Sequence, residues 1–251
     1  MKFTLKRTPV GVSTTPTSAE LPGLTGADVA GLVLGKRVGG DFYQVARGND
    51  QRVVAGLLDI AGSALENRGI VEAARQTFAA TAPDFFGRDD MNEADAMMEF
   101  CHALNASILR AANGVRHCAA FLGCYNKALA TVCYVNAGHT PGLLRYNSDV
   151  SELRATGMPL GLFSKSTYEA PTAAIPVGGC LLLISRGVVE AGSRKEEYGL
   201  QRVKQHFSEL PLTSAQEVAS SILGAVAQFD PKAAEKNDLT TLVVLRPGTN
   251  G

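Results

Sequence analysis

Residues 39–60 read GGDFYQVARGNDQRVVAGLLDI, which is two short β-type runs separated by Gly48-Asn49-Asp50. Apolar runs divided by turn-forming residues predict antiparallel strands, and a similar run at 27–35, ADVAGLVLG, precedes them. We therefore expect three antiparallel strands here. They place Asp41 and Asp59 near strand ends, next to glycines.

Carboxylates in such positions can project into a shared cleft, and nearby glycines let backbone carbonyls approach an ion. Hard cations such as Mg²⁺ and Mn²⁺ are held by oxygen ligands of this kind. The residues alone leave a second interpretation open, because acidic residues beside glycine are also ordinary turn formers.

Helical periodicity follows these strands. Apolar residues from Leu65 to Phe78 recur at mainly helical spacing, which predicts a helix over 64–80 that ends ahead of Pro83, and a second helix is predicted over 93–112. Runs at 117–125 and 128–135 then predict two strands joined by a tight hairpin at Asn126-Lys127. The remaining predicted elements are strands at 142–146, 149–153, 168–175 and 180–185, helices at about 198–208 and 214–229, and a last strand at 239–246.

The predicted order is strands, two helices, strands, two helices, strand. Segregation of this kind favours an α+β fold in which two antiparallel sheets face each other and a helix pair covers each outer face. We expect one stand-alone domain over 24–247, an N-terminal extension over 1–23 and a short tail over 248–251.

Composition excludes several classes of protein. The 251 residues include 24 basic and 24 acidic side chains, so no net charge attracts a nucleic acid. The longest apolar run, at 180–184, is far shorter than the roughly 18 residues of a membrane span, and no secretory signal is present at the N-terminus. Five cysteines without a CxxC pair favour buried, reduced thiols in a cytoplasmic protein, and four histidines lack zinc-site spacing.

Further motifs accompany GGDFYQV and LLDIAGSA. They are VNAGHTPGLLRY (135–146), GMPLGLF (157–163), LLLISRGVVEA (181–191), EEYGLQRV (196–203) and NDLTTLVVLR (237–246). Their order and spacing resemble those of the PPM metal-dependent protein phosphatases, in the bacterial SpoIIE/RsbU-type branch. The resemblance covers about residues 24–246.

The resemblance implies a four-layer α-β-β-α sandwich with a two-metal Mn²⁺ or Mg²⁺ centre. In that chemistry a metal-activated water attacks phosphoserine or phosphothreonine without a covalent intermediate. The family's usual substrate is a phosphorylated STAS-type antagonist of an anti-sigma factor, which captures an anti-sigma kinase once it is dephosphorylated. The resemblance therefore implies a regulatory protein as the partner.

Carried over one by one, the family's ligand positions are only partly filled here. Asp41 and Asp59 stand where the family has metal-binding aspartates, and the backbone carbonyl of Ile60 is the expected further ligand if a metal binds. Where the family reads Thr-Asp-Gly, this chain has Arg186 in place of the aspartate, and Asn237 replaces the first aspartate of Asp-Asp-x-Thr.

Other family positions also differ. Gln44 replaces the second aspartate of the GGDFYD motif. The family segment Ser-Gly-His/Lys-Gly is Ala-Gly-Ser-Ala at 61–64, so the loop on the phosphate side has lost a glycine.

These substitutions change the charge near the expected centre by about three units, and an ion pair at about 4 Å is worth on the order of 4 kcal/mol at an effective dielectric near 20. We therefore expect the standard two-metal centre to be absent. We hypothesise that the Arg186 guanidinium lies between Asp41 and Asp59 in place of the metal, with Asn237 as a neutral hydrogen-bond partner. The alternative is a solvent-exposed Arg186.

Three functions remain open. The chain is a pseudophosphatase that binds a regulatory protein, an active Mn/Mg-dependent phosphatase with a reduced metal site, or a domain with another ligand-binding or structural role. His139, in the NAGH motif, is expected to organise a turn rather than bind metal. The oligomeric state, the partner and the pathway stay undetermined by the sequence.

Overall fold

A computed structural model describes residues 17–18, 26–35, 40–62, 64–114, 116–193 and 195–248. Gly39 of the GGDFY motif and Ser63 of the loop after Asp59 lie outside these residues. So do most of the expected extension over 1–23 and most of the expected tail over 248–251.

The elements follow the predicted order, with additions. The strands are β1 (Thr17–Ser18), β2 (Asp28–Leu34), β3 (Asp41–Arg47), β4 (Arg52–Ile60), β5 (Cys118–Asn126), β6 (Thr131–Ala137), β7 (Gly142–Tyr146), β8 (Asp149–Leu153), β9 (Thr172–Ala174), β10 (Cys180–Ile184), β11 (Gly192–Ser193), β12 (Glu196–Glu197) and β13 (Leu239–Leu245). The helices are α1 (Ala64–Phe86), α2 (Glu93–Ala111), α3 (Arg186–Val189), α4 (Gly199–Glu209), α5 (Ala215–Phe229) and α6 (Ala233–Lys236). The short elements β1, β11, β12, α3 and α6 were not predicted.

The strands form two large antiparallel sheets. One has the order β3-β4-β5-β6-β9 and the other β1-β2-β13-β10-β7-β8, while β11 and β12 form a separate two-stranded ribbon. Helices α1 and α2 cover the first sheet, α4 and α5 cover the second, and a third apolar cluster fills the space between the sheets. This arrangement confirms the α+β, four-layer α-β-β-α fold.

The first predicted strand joins a different sheet from its neighbours in the chain. The three predicted antiparallel strands are present, but they lie in two different sheets, because β2 pairs with β13 and β1 whereas β3 pairs with β4. β2 and β3 instead face each other across the core, where the Tyr43 hydroxyl donates to the Gly31 carbonyl at 3.0 Å. A side chain at position 31 would overlap the Tyr43 ring, so glycine is required for this close approach.

Helix α1 differs from its predicted face and length. Its buried residues include Ile70, Ala74 and Phe78, whereas Leu65 is 85% exposed and is not a core residue. The helix also continues through Pro83 to Phe86 instead of ending before the proline. Burial of Phe86 explains the extension, because packing of that side chain offsets the hydrogen bond that a proline cannot donate.

Two predicted strand boundaries need correction. β5 includes Asn126, and the reversal into β6 occupies residues 127–130, because the Asn126 Oδ1 accepts from the backbone N–H groups of Ala128 and Leu129. The strand predicted over 168–175 is limited to Thr172–Ala174. Among the residues described, no helix is long and apolar enough to cross a membrane.

Candidate functional site

Asp41 and Asp59 lie side by side at one end of the five-stranded sheet. Asp41 is the first residue of β3 and pairs directly with Asp59 of β4, as expected from their positions near strand ends. Directly opposed residues in an antiparallel pair have neighbouring side chains. The negative charge of Asp59 and side-chain hydrogen bonding with it both raise the pKa of Asp41, which favours the protonated form of this carboxyl group.

Burial raises the pKa of Asp41 well above its usual value, the negative charge of Asp59 raises it further, and Asp238 adds to the same effect. A hydrogen bond with Ser185 acts in the opposite direction and is too weak to reverse the shift. A negative charge on this carboxyl group is therefore disfavoured in the folded protein.

The raised pKa of Asp41 gives a prediction for stability. The folded state keeps a proton on Asp41 that the unfolded chain releases near its ordinary pKa, so ionisation costs folding free energy as the pH rises. Asp41→Asn removes this cost while its amide can still donate to Asp59. We expect a higher Tm for the variant, with a larger gain at pH 8 than at pH 5, measured by thermal unfolding. Asp149→Asn, at an exposed position, is the control and should show no such dependence.

The two aspartates face a cavity of about 300 Å³. Its charged lining residues include four acids and two bases: Asp41, Asp59, Glu190, Asp238, Arg186 and Lys236. The Lys236 ammonium bonds away from the aspartates, to Asp230 at 2.9 Å and to the Gly192 carbonyl at 3.1 Å. Among these lining residues, Arg186 is therefore the base that is available to form an ion pair with the two aspartates.

Arg186 reaches one of the two aspartates. Its Nε lies 4.0 Å from Asp59 Oδ2 and 3.6 Å from Glu190 Oε1, and its side chain is 63% exposed. In the part of the chain that the structure describes, no ion pair joins it to Asp41. The hypothesis that the guanidinium lies between both aspartates is therefore wrong on the Asp41 side. At this exposure, solvent screening reduces the value of each pair to about 0–1 kcal/mol.

Asn237 and Asp238 both line the cavity, but they differ in environment. Asn237 is exposed, and no hydrogen bond to Arg186 is recorded within the described ranges, so its expected role as a partner of Arg186 is not observed. Asp238 is 4% exposed, and its charge contributes to the raised pKa of Asp41. Asp238 directly precedes β13, which begins at Leu239, and no role was expected for this residue.

The backbone carbonyl of Ile60 already has a hydrogen-bond donor. Asn67 Nδ2, from the buried face of α1, donates to this carbonyl at 2.9 Å. The next carbonyl, that of Ala61, accepts from Arg116 at 2.8 Å. Both backbone oxygens that follow Asp59 thus contact donors of the chain itself.

The donor set does not fit a two-metal centre. At one expected carboxylate position, Arg186 places a guanidinium near Asp59, and at another position stands the amide of Asn237. The expected backbone ligand, the Ile60 carbonyl, accepts a hydrogen bond from Asn67. Over the described residues, no group of three or more His, Cys, Asp or Glu side chains is arranged to hold a metal ion. Both substitutions, at 186 and 237, remove an anionic oxygen ligand from the expected set, which two divalent ions need to balance their charge.

His139 organises the turn next to the cleft. Its backbone N–H donates to Asn136 Oδ1 at 2.8 Å, and its ring Nδ1 lies 2.9 Å from Thr140 Oγ1. Because the Thr140 hydroxyl donates to the Ile184 carbonyl, the proton of the ring is on Nδ1. The expected structural role of His139 therefore agrees with its contacts.

Comparison with known proteins identifies relatives of this domain. The family model described as "Stage II sporulation protein E (SpoIIE)" matches residues 49–247. The phosphoserine phosphatase RsbU of Bacillus subtilis (strain 168) is 24% identical over 215 residues, which cover 84% of this chain and 60% of RsbU. Protein IcfG of Synechocystis sp. is 30% identical over 135 residues, which cover 50% of this chain and 20% of IcfG. The chain thus spans less than two thirds of these relatives' length.

Solved structures share the fold. The RsbU and RsbW domains of Rv1364c from Mycobacterium tuberculosis superpose with a TM-score of 0.75 at 18% identity, covering 93% of this chain and 65% of that one. The PP2C phosphatase domain of SpoIIE from Bacillus subtilis, solved with a fragment of its regulatory domain, gives 0.68 at 18% identity, covering 90% and 63%. At such identities the likeness establishes architecture.

Proposed function

Since the chain belongs to the SpoIIE family and has the PPM phosphatase fold, we propose that it is a pseudophosphatase that acts as a protein-binding regulator. The observation that carries the proposal is Arg186, a cation fixed in the chain 4.0 Å from Asp59 Oδ2. A divalent ion at Asp59 would be repelled by this guanidinium. Buried apolar clusters nevertheless cover both outer faces and fill the space between the sheets, so the fold does not depend on a two-metal centre.

We propose that its partner is a STAS-type antagonist in a partner-switching pathway controlled by phosphorylation. Support comes from family membership and from a relative named as a phosphoserine phosphatase. A domain that binds this partner without hydrolysis would control how much of it is available. The five free, buried cysteines suit the reducing conditions of the cytoplasm, where we place this regulator.

One observation favours a second candidate, an active phosphatase with a reduced metal site. No ion pair among the described residues joins Arg186 to Asp41, and Asp238 adds a further acid to the cavity. A single divalent ion beside Asp41 would stabilise the ionised form of that carboxyl group. This candidate needs turnover with one ion where the family uses two.

Metal titration and turnover distinguish the two candidates. For the wild-type chain we expect no saturable Mn²⁺ or Mg²⁺ heat in titration calorimetry and no metal-dependent hydrolysis of p-nitrophenyl phosphate. Arg186→Asp combined with Asn237→Asp restores two carboxylates and should give measurable Mn²⁺ binding, at least about tenfold tighter than any binding of the wild type. Metal-dependent turnover by the wild type would refute the pseudophosphatase and support the second candidate.

Partner binding is tested with purified proteins. A STAS-domain antagonist from the same organism, in phosphorylated and unphosphorylated form, is titrated into the wild-type chain with and without Mn²⁺. We expect a complex with at least one form and no release of phosphate. No binding of either form contradicts the proposed partner, while phosphate release that needs Mn²⁺ again supports the active enzyme.

A further inference from the structure

We infer that Asn67 and Arg116 are positioning residues that keep the loop after Asp59 from serving as a metal ligand. The inference rests on the proposed loss of the two-metal centre and adds a second cause of that loss, separate from positions 186 and 237. Both side chains donate to the backbone oxygens that follow Asp59.

Asn67 acts from inside the protein. It is fully buried, and its Nδ2 donates to the Ile60 carbonyl at 2.9 Å and more weakly to the Ala61 carbonyl at 3.4 Å. A buried amide with little room to move holds its acceptor in one orientation. An ion that approached the Ile60 oxygen would face the positive end of this amide dipole.

Arg116 acts from the rim of the cleft. Its guanidinium donates to the Ala61 carbonyl at 2.8 Å and pairs with Glu66 of α1 at 3.2 Å. Gly62 permits this contact, because its φ of +119° favours glycine and because a side chain there would overlap the guanidinium. The loop is thus shaped around Arg116, whose side chain is 28% exposed.

Together the two residues change what the loop offers to a cation. A backbone carbonyl has two lone pairs, so each hydrogen bond that it accepts reduces what it can offer to Mn²⁺ or Mg²⁺. Here one carbonyl is held by a buried amide, and the next one by a group that carries a full positive charge. Restoring the carboxylates at 186 and 237 therefore restores only part of the metal affinity.

The test uses the full chain carrying Arg186→Asp and Asn237→Asp as its background. Arg116→Met is added to remove the guanidinium while keeping most of the aliphatic stem, and Asn67→Leu is added separately to remove the amide at similar volume. Mn²⁺ affinity is measured by titration calorimetry. We expect Arg116→Met to tighten Mn²⁺ binding by about tenfold, within the range of effects seen for residues that orient metal ligands.

Two controls make the result specific. Arg110→Met removes an exposed arginine from the last turn of α2, and we expect no comparable tightening. Arg116→Met with Glu66→Gln tests whether the Glu66 carboxylate, which loses its ion pair with Arg116 in the single variant, binds the ion instead, and we expect the tightening to persist. Equal gains for Arg110→Met and Arg116→Met, or loss of the gain with Glu66→Gln, would overturn the inference.

The outcomes separate this inference from the proposed function. Metal-dependent turnover by the wild type refutes the pseudophosphatase. Mn²⁺ affinity that does not change when Arg116→Met is added to the background refutes the role of the loop donors and leaves the pseudophosphatase intact. Because Arg116 is partly exposed, its variant keeps the test decisive if Asn67→Leu fails to fold, which a thermal melt reports.

Discussion

Phe100→Ala should lower the free energy of unfolding by about 3–5 kcal/mol, the range for truncation of a buried phenylalanine. Phe100 of α2 is fully buried, and its ring contacts three phenylalanines of α1. Its ring centroid lies 5.0 Å from that of Phe78, 5.6 Å from that of Phe86 and 6.4 Å from that of Phe85, all edge to face. Truncation to alanine leaves a cavity between α1 and α2 and removes the edge-to-face contacts of the ring.

Urea denaturation followed by circular dichroism measures this effect. A loss of this size is a large share of the roughly 5–15 kcal/mol that stabilises an ordinary domain. Leu129→Ala is the matched control, because Leu129 is 65% exposed and its truncation should change stability by no more than about 0.5 kcal/mol. A Phe100→Ala loss as small as that of the control would show that α2 is not anchored through this ring.

Lowering the pH from 6.5 to 4 should destabilise the wild type through His139 by up to about 3 kcal/mol, at 1.36 kcal/mol per unit of pKa shift. Burial lowers the pKa of His139 from 6.5 to about 4, while the hydrogen bond with the Thr140 backbone and the charge of Asp59 oppose the shift. Between pH 6.5 and pH 4, His139 therefore binds a proton in the unfolded chain but not in the folded protein. Stability rises with pH wherever the unfolded state binds more protons, so this contribution is lost on acidification.

His139→Gln tests the assignment, because glutamine does not titrate. We expect a shallower dependence of the unfolding free energy on pH between 6.5 and 4 in this variant than in the wild type, measured by urea denaturation at several pH values. His102→Gln, at an exposed position on α2, should leave the slope unchanged. Parallel slopes for the wild type and His139→Gln would mean that His139 accepts a proton in the folded state as readily as in the unfolded one.

Local patterns predicted most of the architecture. Alternation and helical spacing depend on a few neighbouring residues, so they placed β3, β4 and α2 and set Asp41 and Asp59 at strand ends. They also gave the α+β layering. The same local rules predicted the wrong buried face for α1. Asn67 lies on the buried face of this helix, at helical spacing from Ile70, Ala74 and Phe78. A polar residue on that face was the available signal for a role beyond packing.

The sequence motifs identify the family, and the substitutions at 186 and 237 predict a changed metal centre. Only the tertiary structure decided that β2 joins the opposite sheet from β3 and that Arg186 reaches Asp59 but not Asp41. The physical reason is the separation along the chain of the residues that interact. A strand's partner and a carbonyl's donor are set by contacts between residues far apart in the chain, such as Arg116 and Ala61, which are 55 positions apart, and no local pattern encodes them.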